Sequence, residues 1–495
     1  MLKCRPRCRD RFFRLARYAP LAILLSISGA VLVAMVCRIG VKYSFNLNEG
    51  WNAYWAAAAW DGADLYPPPG SLKLNTYLPL WSYATGWLGS LVGDNIVAGR
   101  IVAGSALLLN AAVAFLIVRE ITGHARDGWC AAGAFLAMSG LYYAQYVGVN
   151  DPQWAANLLM SVSLLLIVRE INGRSKGRPY YYLVPLLLVG GLLKHNVIAA
   201  PASIAIFLLL YRRAEFVLFA VYSAVGLIVV CAALYAMFGT SVFASLLFPR
   251  PYDFGNAWAQ TLDHLRAYGF LLLIPAYLAW QAGPPARLIF IYSIVSLAQG
   301  FVLSGGFDVD VNVFFDFAIA TSIGLGLLQN SVFRAIGSHA GRWRAGAVLA
   351  LWLVVPLAPV ALALPQGIGE VRDVFGTLAD SPQQADVASV RALSGGAICE
   401  NAALCYWAGK PFQVDMNNLK ILTAASAPVE ADFIARLRTC SYPLIQLEDD
   451  WDDVDEGPFT AGVVAALKTH YMETGRSGYW KPRADCGAAE RSSKP

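Results

Sequence analysis

Long apolar segments separated by short polar stretches run through the chain as far as residue 364. They lie at 21–37, 96–118, 128–147, 154–168, 180–193, 197–211, 216–238, 267–281, 288–303, 313–333 and 345–364. A helix needs about 20 apolar residues to cross a bilayer perpendicular to its plane, and several of these segments are shorter. The pattern predicts an all-α polytopic membrane bundle with about eleven transmembrane helices.

After residue 364 the apolar segments end. Residues 365–495 contain short mixed elements separated by Gly and Pro, as in the stretch AICENAALCYWAGKPFQVD. This favours a C-terminal soluble domain of mixed α/β structure outside the cytoplasm. We therefore divide the chain into a basic cytoplasmic tail at 1–18, a transmembrane domain at 19–364 with a long outer loop at 41–95, and a soluble domain at 365–495.

The composition excludes several classes of protein. It is 57% hydrophobic and 14% charged, with a mean hydropathy of +0.50, whereas an ordinary soluble protein is about 25% charged. A disordered chain, a coiled coil, a collagen-like fibre and a disulfide-dense mini-domain are all excluded. The chain has no GxGxxG after a strand, no Walker loop, no HExxH and no GxSxG. We also expect no nucleic acid among its partners.

Basic residues are distributed unevenly between alternate loops. If the N-terminus lies in the cytoplasm, the tail and the inner loops contain 19 Lys and Arg, and the outer loops and outer helix ends contain seven. Positive charge accumulates on the cytoplasmic side of membrane proteins, so this bias favours a cytoplasmic N-terminus and an outer C-terminal domain. The first apolar segment lacks a small-x-small cleavage site, and we interpret it as a retained helix.

The two parts of the chain also differ in charge and in cysteine content. Residues 1–364 have a net charge of +11 and residues 365–495 a net charge of −6. An even number of cysteines in an oxidising compartment predicts one or two disulfides, and the sequence leaves the pairing open. The cysteines of the soluble domain are Cys399, Cys405, Cys440 and Cys486. The acidic run at 448–456 is interpreted as a solvated loop, because its spacing does not fit a calcium-binding EF-hand.

Glu49 is the first candidate for chemistry. It lies in the outer loop that follows the first apolar segment, and it precedes Trp51–Trp60, which can form an interfacial amphipathic helix. A carboxylate with one apolar side has a raised pKa and is a better proton acceptor near neutral pH. The alternative is a solvated Glu in a capping or aromatic-belt loop.

Further polar residues lie in the outer loops, and each has a functional and a structural interpretation. Asp151 is predicted to begin a helix. It is either a ligand to substrate or metal, held at this helix end, or a plain N-cap. Lys194 and protonated His195 could bind phosphate, or they could cap a helix and snorkel. Arg250 is a second candidate phosphate partner or a surface residue. Acids close to Asn312 would be costly in a helix unless they line a polar cavity; they are Asp308, Asp310 and Asp316.

The order of these motifs resembles the GT-C superfamily of integral-membrane glycosyltransferases. Over about residues 20–330 it is similar to the bacterial, family 39-like branch related to protein O-mannosyltransferases and the lipid A aminoarabinose transferase. That branch has an acidic pair after the first helix, where this chain has Asn48-Glu49. It has a Lys-Pro-Pro-Leu-like element, where the chain has Tyr77-Leu78-Pro79-Leu80 and Lys73 is the nearest lysine. Asp151 and Lys194-His195 match two later motifs, and the run around Asn312 is similar to an Asn-Tyr-Phe-like element.

The resemblance implies an inverting transfer of a sugar from a polyprenyl-phosphate donor to a lipid or glycan acceptor of the cell envelope. Glu49, or else Asp151, would accept the proton of the acceptor hydroxyl. The leaving phosphate would be stabilised by Lys194, His195 or Arg250. Lys73 would be the nearest substitute for the loop lysine that holds the donor phosphate, and Asn312 would also bind the substrate. No cofactor is certain; a divalent metal could replace some cations, with Glu49 and Asp151 as ligands.

The expected location is therefore a bacterial cell inner membrane, with the C-terminal domain in the periplasm and membrane lipid in contact with the bundle. Two other functions stay open at this level. A transporter or flippase for a polar solute or glycolipid typically has inverted repeats with broken helices, and this chain has one broken pair, at 194–196, without a counterpart. A non-catalytic scaffold would leave intramembrane acids such as Asp316 unexplained.

Overall fold

The computed structural model describes residues 15–174, 180–281, 283–307, 309–337, 342–380, 382–448, 451–453 and 457–486. Most of the basic tail, Asp308 and most of the acidic run at 448–456 lie outside the described residues.

The described part of the chain up to residue 380 is almost entirely helical. Its helices are α1 (Ala19–Arg38), α2 (Asn48–Trp60), α3 (Leu80–Val92), α4 (Asn95–Thr122), α5 (Ala125–Tyr142), α6 (Gln153–Ile171), α7 (Tyr180–Leu193), α8 (Ala199–Tyr211), α9 (Arg213–Phe238), α10 (Ser241–Leu246), α11 (Phe254–Tyr268), α12 (Leu273–Trp280), α13 (Pro284–Ser304), α14 (Phe315–Gly337) and α15 (Arg342–Asp380). Each of the eleven predicted segments overlaps one of these helices. The prediction of an all-α membrane bundle is therefore confirmed.

Seven spans within the described residues are long and apolar enough to cross a membrane. They are α1, α4, α6, α9, α13, the stretch Val311–Ile336 that includes α14, and Gly346–Pro365 within α15; α7 and α8 are shorter apolar helices. Within the bundle Val311–Ile336 is central, with 94% of its apolar window buried, whereas only 11% of the α9 window is buried. A helix that is apolar on all sides and exposed in this way suits a lipid environment. The protein is thus a multi-pass membrane protein.

Short connections hold the ends of neighbouring helices in place, between α3 and α4 and between α7 and α8. Gly93 ends α3 with φ +84°, a conformation that favours glycine, and Asp94 caps α4 by accepting the N–H groups of Ile96 and Val97 at 2.8 and 3.3 Å. The turn from Lys194 to Ile198 separates α7 from α8. The predicted pair of short helices therefore exists, and it places Lys194 at a helix end.

The last membrane helix continues beyond the apolar sequence. Helix α15 runs to Asp380, so the predicted boundary between residues 364 and 365 falls inside it. The elements that follow are α16 (Pro382–Arg391), β1 (Ala397–Cys399), α17 (Ala402–Trp407), α18 (Leu419–Ala425), α19 (Ala427–Arg438), β2 (Leu444–Gln446), α20 (Ala461–His470), β3 (Tyr471–Glu473) and β4 (Tyr479–Pro482). We call the part from α16 onward the outer domain, after the side of the membrane on which the sequence predicts it to lie.

The outer domain combines helices with a small mixed sheet. The strand order is β1-β2-β4-β3; β1 and β2 are parallel, with Ala397 opposite Leu444, and the other two pairs are antiparallel. Two disulfides, Cys399–Cys405 and Cys440–Cys486, join the cysteines whose pairing the sequence left open. The mixed α/β character predicted for this domain is confirmed.

The outer domain packs directly on α2. The Trp51 indole donates to Asp415 at 2.9 Å, and the Tyr54 hydroxyl donates to the carbonyl of Lys410 at 2.8 Å. Burial raises the pKa of Asp415 to about 6. Gly50 allows the closest approach, since a Cβ at this position would overlap the backbone of Ala402 and Ala403. Helix α2 is therefore a part of the membrane domain against which the outer domain packs.

We expect Gly50→Ala to lower the thermal stability of the protein, because overpacking of this kind typically costs about 1–3 kcal/mol. The measurement is the unfolding temperature in detergent. Gly29→Ala in α1 is the matched control, since a Cβ there meets no atom within 4 Å. Equal unfolding temperatures for the two variants would contradict the assigned packing.

Candidate functional site

A cavity of about 720 Å³ lies where the membrane helices meet the outer domain. Its wall combines the start of α2, the turn between α7 and α8, the segments that follow α10 and α13, and the outer domain. The polar and charged side chains that line it include Asn46, Asn48, Thr76, Tyr77, Tyr146, Lys194, His195, Asn196, Arg250, Asp310, Asn312, Glu400, Asn417 and Asn418. Residues far apart in the sequence thus share one polar hollow.

Lys194 forms a buried ion pair at the wall of this cavity. Its ammonium lies 3.1 and 3.3 Å from the two carboxylate oxygens of Asp151 and 3.2 Å from the Tyr77 hydroxyl. Asp151 is 1% exposed and is not among the cavity-lining residues. It accepts the N–H of Gln153 at 2.8 Å. Asp151 therefore holds Lys194 in place from behind, and Lys194 faces the cavity.

Glu49 does not line the cavity, as its predicted role of proton acceptor would require. Both of its carboxylate oxygens accept hydrogen bonds from Arg100 at 2.7 Å, and both side chains are fully buried. The N–H groups of Phe45 and Asn150 also donate to Glu49, at 3.0 and 3.1 Å. Glu49 is not among the cavity-lining residues, so this geometry does not support its role as the proton acceptor.

The partner of Glu49 is an arginine that the sequence pattern does not link to it. Arg100 is one of the seven basic residues that the sequence assigns to the outer loops and outer helix ends, and it lies within α4. The available signal was an arginine inside an apolar segment, which is costly in a membrane unless it is paired. That signal predicts a partner but does not say which acid it is. The pair joins α2 to α4 and fixes the start of α2.

The neighbour of Glu49 faces the cavity instead. Asn48 is the first residue of α2 and lines the hollow. A side-chain amide can donate and accept hydrogen bonds, but it does not take up a proton near neutral pH. The start of α2 therefore contributes a side chain that can form hydrogen bonds with a substrate, but it contributes no proton acceptor.

Arg250, Asn312 and His195 line the cavity, as their predicted roles require. Arg250 donates to the Thr76 hydroxyl at 3.2 Å and to the Phe307 carbonyl at 3.4 Å, both neutral acceptors. The His195 side chain is exposed and lines the cavity, but desolvation by the surrounding protein and the charges of Lys194 and Arg250 lower its pKa to about 4. His195 is therefore neutral near pH 7, whereas the predicted phosphate contact required its protonated form.

Lys73 lies away from the other candidates. It is half-buried and does not line the cavity. Its neighbours Leu72 and Leu74 pack in the apolar core of the outer domain, together with residues of α18 and β2. Its predicted contact with the donor phosphate is not supported by this placement.

The acids near Asn312 have separate structural partners. Asp310 lines the cavity, where it accepts the Tyr146 hydroxyl at 2.8 Å and the N–H of Val311 at 2.6 Å. Asp316 is buried in the bundle and accepts the Tyr292 hydroxyl at 2.6 Å. Such hydrogen bonds are what a carboxylate in a membrane helix requires.

The predicted ligand set for a divalent metal does not come together. Glu49, in α2, is paired with Arg100, and Asp151, which precedes α6, is paired with Lys194. Within the described ranges no three His, Cys, Asp or Glu side chains are grouped as metal ligands would be. Each of the two predicted metal ligands already has a cationic partner, so this pair does not fit a divalent cation.

Known structures share this architecture. The chain matches the crystal structure of ArnT from Cupriavidus metallidurans bound to undecaprenyl phosphate, with a TM-score of 0.53 and 14% identity over 88% of this chain and 94% of that one. The apo form of ArnT matches with a TM-score of 0.53 at 15% identity, with the same coverage. The oligosaccharyltransferase of Archaeoglobus fulgidus, tethered with an acceptor peptide, matches with a TM-score of 0.51 at 10% identity over 94% of this chain and 74% of that one.

No protein-family model matches the sequence, and no curated protein is significantly similar to it. At identities of 10–15% the structural matches establish the fold alone. The protein therefore shares the fold of ArnT and the archaeal oligosaccharyltransferase, which is the fold implied by the resemblance to the GT-C superfamily.

Proposed function

We propose that this protein transfers a sugar from a polyprenyl-phosphate donor to an acceptor of the cell envelope, at the outer face of a bacterial inner membrane. The observation that carries the proposal is the placement of Lys194 and Arg250 on one cavity at the outer end of an apolar helical bundle. Two cations beside an apolar surface suit a ligand that joins a phosphate to a long hydrocarbon chain. The fold shared with ArnT bound to undecaprenyl phosphate supports the same ligand class.

The orientation belongs to this proposal. With the N-terminus in the cytoplasm, the cavity and the outer domain both face the periplasm. The distribution of basic residues supports this arrangement. The two disulfides of the outer domain are also typical of an oxidising compartment.

In the proposed site the donor phosphate lies between Lys194 and Arg250. Lys194 supplies a positive charge whose position Asp151 and Tyr77 fix, so little reorganisation is needed when the phosphate gains charge. Arg250 supplies a planar guanidinium that can contact two phosphate oxygens. His195 and Asn312 are neutral and contribute hydrogen bonds.

The reaction replaces one bond at the anomeric carbon by another. The acceptor oxygen forms a bond to this carbon and loses its proton to a base, while the bond to the phosphate oxygen breaks and its electron pair leaves with the polyprenyl phosphate. The phosphate is already a stable anion and needs no general acid, so one base and the two cations suffice. Attack from the face opposite the phosphate inverts the configuration.

The predicted bases need a different assignment in this scheme. Glu49 is engaged by Arg100, and we propose that it positions the start of α2. Asp151 is engaged by Lys194, and we propose that it positions the ammonium. For Asp151 to act as the base, the ammonium would first have to move away from it.

We expect Arg250→Ala to lower kcat/KM for the donor about 10- to 100-fold, since a charge-assisted hydrogen bond contributes about 1.5–3 kcal/mol. Steady-state transfer with a labelled polyprenyl-phosphate sugar measures it. Arg438→Ala, at an exposed position of α19, is the control and retains wild-type kinetics. An unchanged kcat/KM in Arg250→Ala would remove Arg250 from the phosphate site.

Product analysis in membrane vesicles tests the function as a whole. A transferase releases polyprenyl phosphate and moves the label to an envelope acceptor. A transporter or flippase, the alternative that the sequence leaves open, moves the labelled lipid or solute intact. Recovery of intact label on the opposite side, without free polyprenyl phosphate, would overturn the proposed transfer.

A further inference from the structure

Glu400 is a carboxylate of the outer domain that lines the same cavity as Lys194 and Arg250. It directly follows β1 and stands one residue before the N-cap of α17, Asn401. It is not engaged in an ion pair with any described residue, in contrast to Glu49 and Asp151. Nothing in the pattern of the sequence singled it out.

The backbone around Glu400 is firmly held. The N–H of Glu400 donates to the carbonyl of Gln446 at 2.9 Å, and the N–H of Asn401 donates to the side-chain oxygen of Gln446 at 3.0 Å. The disulfide Cys399–Cys405 closes the loop that carries Glu400. The N–H of Glu448 donates to Oε2 of Glu400 at 2.8 Å. A carboxylate held in this way keeps its direction relative to the cavity.

Helix α2 fixes this loop relative to the membrane domain. Gly50 of α2 packs against the backbone of Ala402 and Ala403, at the start of α17. Asn48 precedes Gly50 by two residues, and Glu400 precedes Ala402 by two; both line the cavity. The start of α2 and the Glu400 loop therefore contribute to the same wall.

The other groups that face the cavity are less suited to accept a proton. Asn48 is an amide, and His195 is a weak base because its pKa is lowered to about 4. Both carboxylate oxygens of Asp310 already accept hydrogen bonds, from Tyr146 and from the N–H of Val311. Of the hydrogen bonds that the structure describes, one reaches the Glu400 side chain, and it leaves Oε1 for a substrate.

Burial raises the pKa of Glu400 to about 7, and the negative charge of Glu448 contributes to the rise. The charged or titratable side chains across the cavity are Lys194, His195, Arg250, Asp310, Tyr77, Tyr146 and Tyr252. A carboxylate with a pKa close to the ambient pH combines a useful ionised fraction with sufficient basicity, as general-base catalysis requires.

We propose that Glu400 is the general base of the reaction and that the outer domain thereby completes the catalytic site. This inference rests on the proposed function. The Glu400 carboxylate takes the proton from an acceptor hydroxyl, whose oxygen forms the new bond to the anomeric carbon as polyprenyl phosphate leaves. Water at the outer face then removes the proton from Glu400. The acceptor is accordingly a hydroxyl compound that enters from the side of the outer domain.

The test combines transfer kinetics with donor binding. Glu400→Gln has nearly the same shape and no base, and we expect it to lower kcat at least about 100-fold. Its Kd for undecaprenyl phosphate, measured by native mass spectrometry, stays within about twofold of wild type. Wild-type kcat/KM rises with pH through about 7, because Glu400 must lose its proton to act. Glu400→Gln lacks this rise, and Glu400→Asp retains it at a lower rate.

Two further variants make the result specific. Glu448→Gln keeps the backbone N–H that donates to Glu400 but removes a neighbouring negative charge, so the rise moves to lower pH. Asp432→Asn, at an exposed position of α19, leaves both the rate and the pH profile unchanged.

Several outcomes would overturn the inference. If the pH-dependent rise persists in Glu400→Gln, or disappears in Asp310→Asn alone, Glu400 is not the base. Loss of donor binding in Glu400→Gln would make it a structural residue. If wild-type protein transfers no sugar, the proposed function fails together with the inference; if wild type transfers and Glu400→Gln does so equally well, the inference alone fails.

Discussion

Lys194→Met is expected to abolish the use of the polyprenyl-phosphate donor almost completely, with a loss of about 100- to 1,000-fold in transfer rate. The lost ammonium is the buried cation at the cavity wall, and Asp151 and Tyr77 hold it in position. A charge fixed before the reaction stabilises the leaving phosphate without reorganisation. The measurement is single-turnover transfer from a labelled donor, together with the Kd for undecaprenyl phosphate.

This substitution also leaves Asp151 buried without its cation. An uncompensated buried charge typically costs about 3–5 kcal/mol of stability. A loss of activity in Lys194→Met alone therefore does not distinguish a binding role from a folding defect.

The double variant Asp151→Asn/Lys194→Met separates the two effects. It removes both charges of the buried pair, so we expect most of the thermal stability in detergent to return. Transfer stays lost, because no cation replaces Lys194 beside the phosphate. If transfer returned together with stability, the role of Lys194 would be structural and its phosphate contact would be excluded.

Glu49→Gln is expected to cause a large loss of stability. Arg100 is fully buried and donates two hydrogen bonds of 2.7 Å to Glu49. The negative charge of the Glu49 carboxylate balances the positive charge of Arg100. Breaking such a pair typically costs about 3–5 kcal/mol. We expect a clear fall in the unfolding temperature in detergent and a reduced yield of protein from the membrane. Asp432→Asn, which breaks an exposed pair with Arg436, is the control and changes little.

The fraction of Glu49→Gln that folds gives the decisive comparison. If Glu49 positions α2 and is not the base, folded Glu49→Gln binds undecaprenyl phosphate as wild type does and retains the rise of kcat/KM with pH. A variant that is as stable as wild type but has lost this rise would restore Glu49 as the proton acceptor and contradict the geometry described here.

The membrane architecture could be predicted from the sequence because hydropathy is a local property. Each apolar segment must satisfy its own backbone hydrogen bonds in lipid, so it forms a helix wherever its neighbours lie. The division into short helices at 194–196 was likewise local, since a lysine in mid-membrane would be costly. The exact boundary between the membrane domain and the outer domain is harder to predict from the sequence, because α15 continues as a helix beyond its last apolar residue.

The positions of the charged residues could be predicted only in part. Lys194, Arg250 and Asn312 were expected at the outer face and do line one cavity. Glu49 was expected at the same face, but the direction of its side chain depends on Arg100, 51 residues away. Lys73 is the lysine nearest in sequence to the motif Tyr77-Leu78-Pro79-Leu80, but its segment packs against the outer domain.

The sequence by itself determined that this chain is a multi-pass helical membrane protein with a cysteine-containing domain after it, since lipid and water sort residues by polarity alone. Only the tertiary structure decided which charges neutralise one another and which face the cavity. Ion pairing depends on distances of about 3 Å between side chains of different helices. For that reason Glu49 and Asp151 became partners of Arg100 and Lys194, while Glu400, in a domain distant along the chain, came to line the cavity.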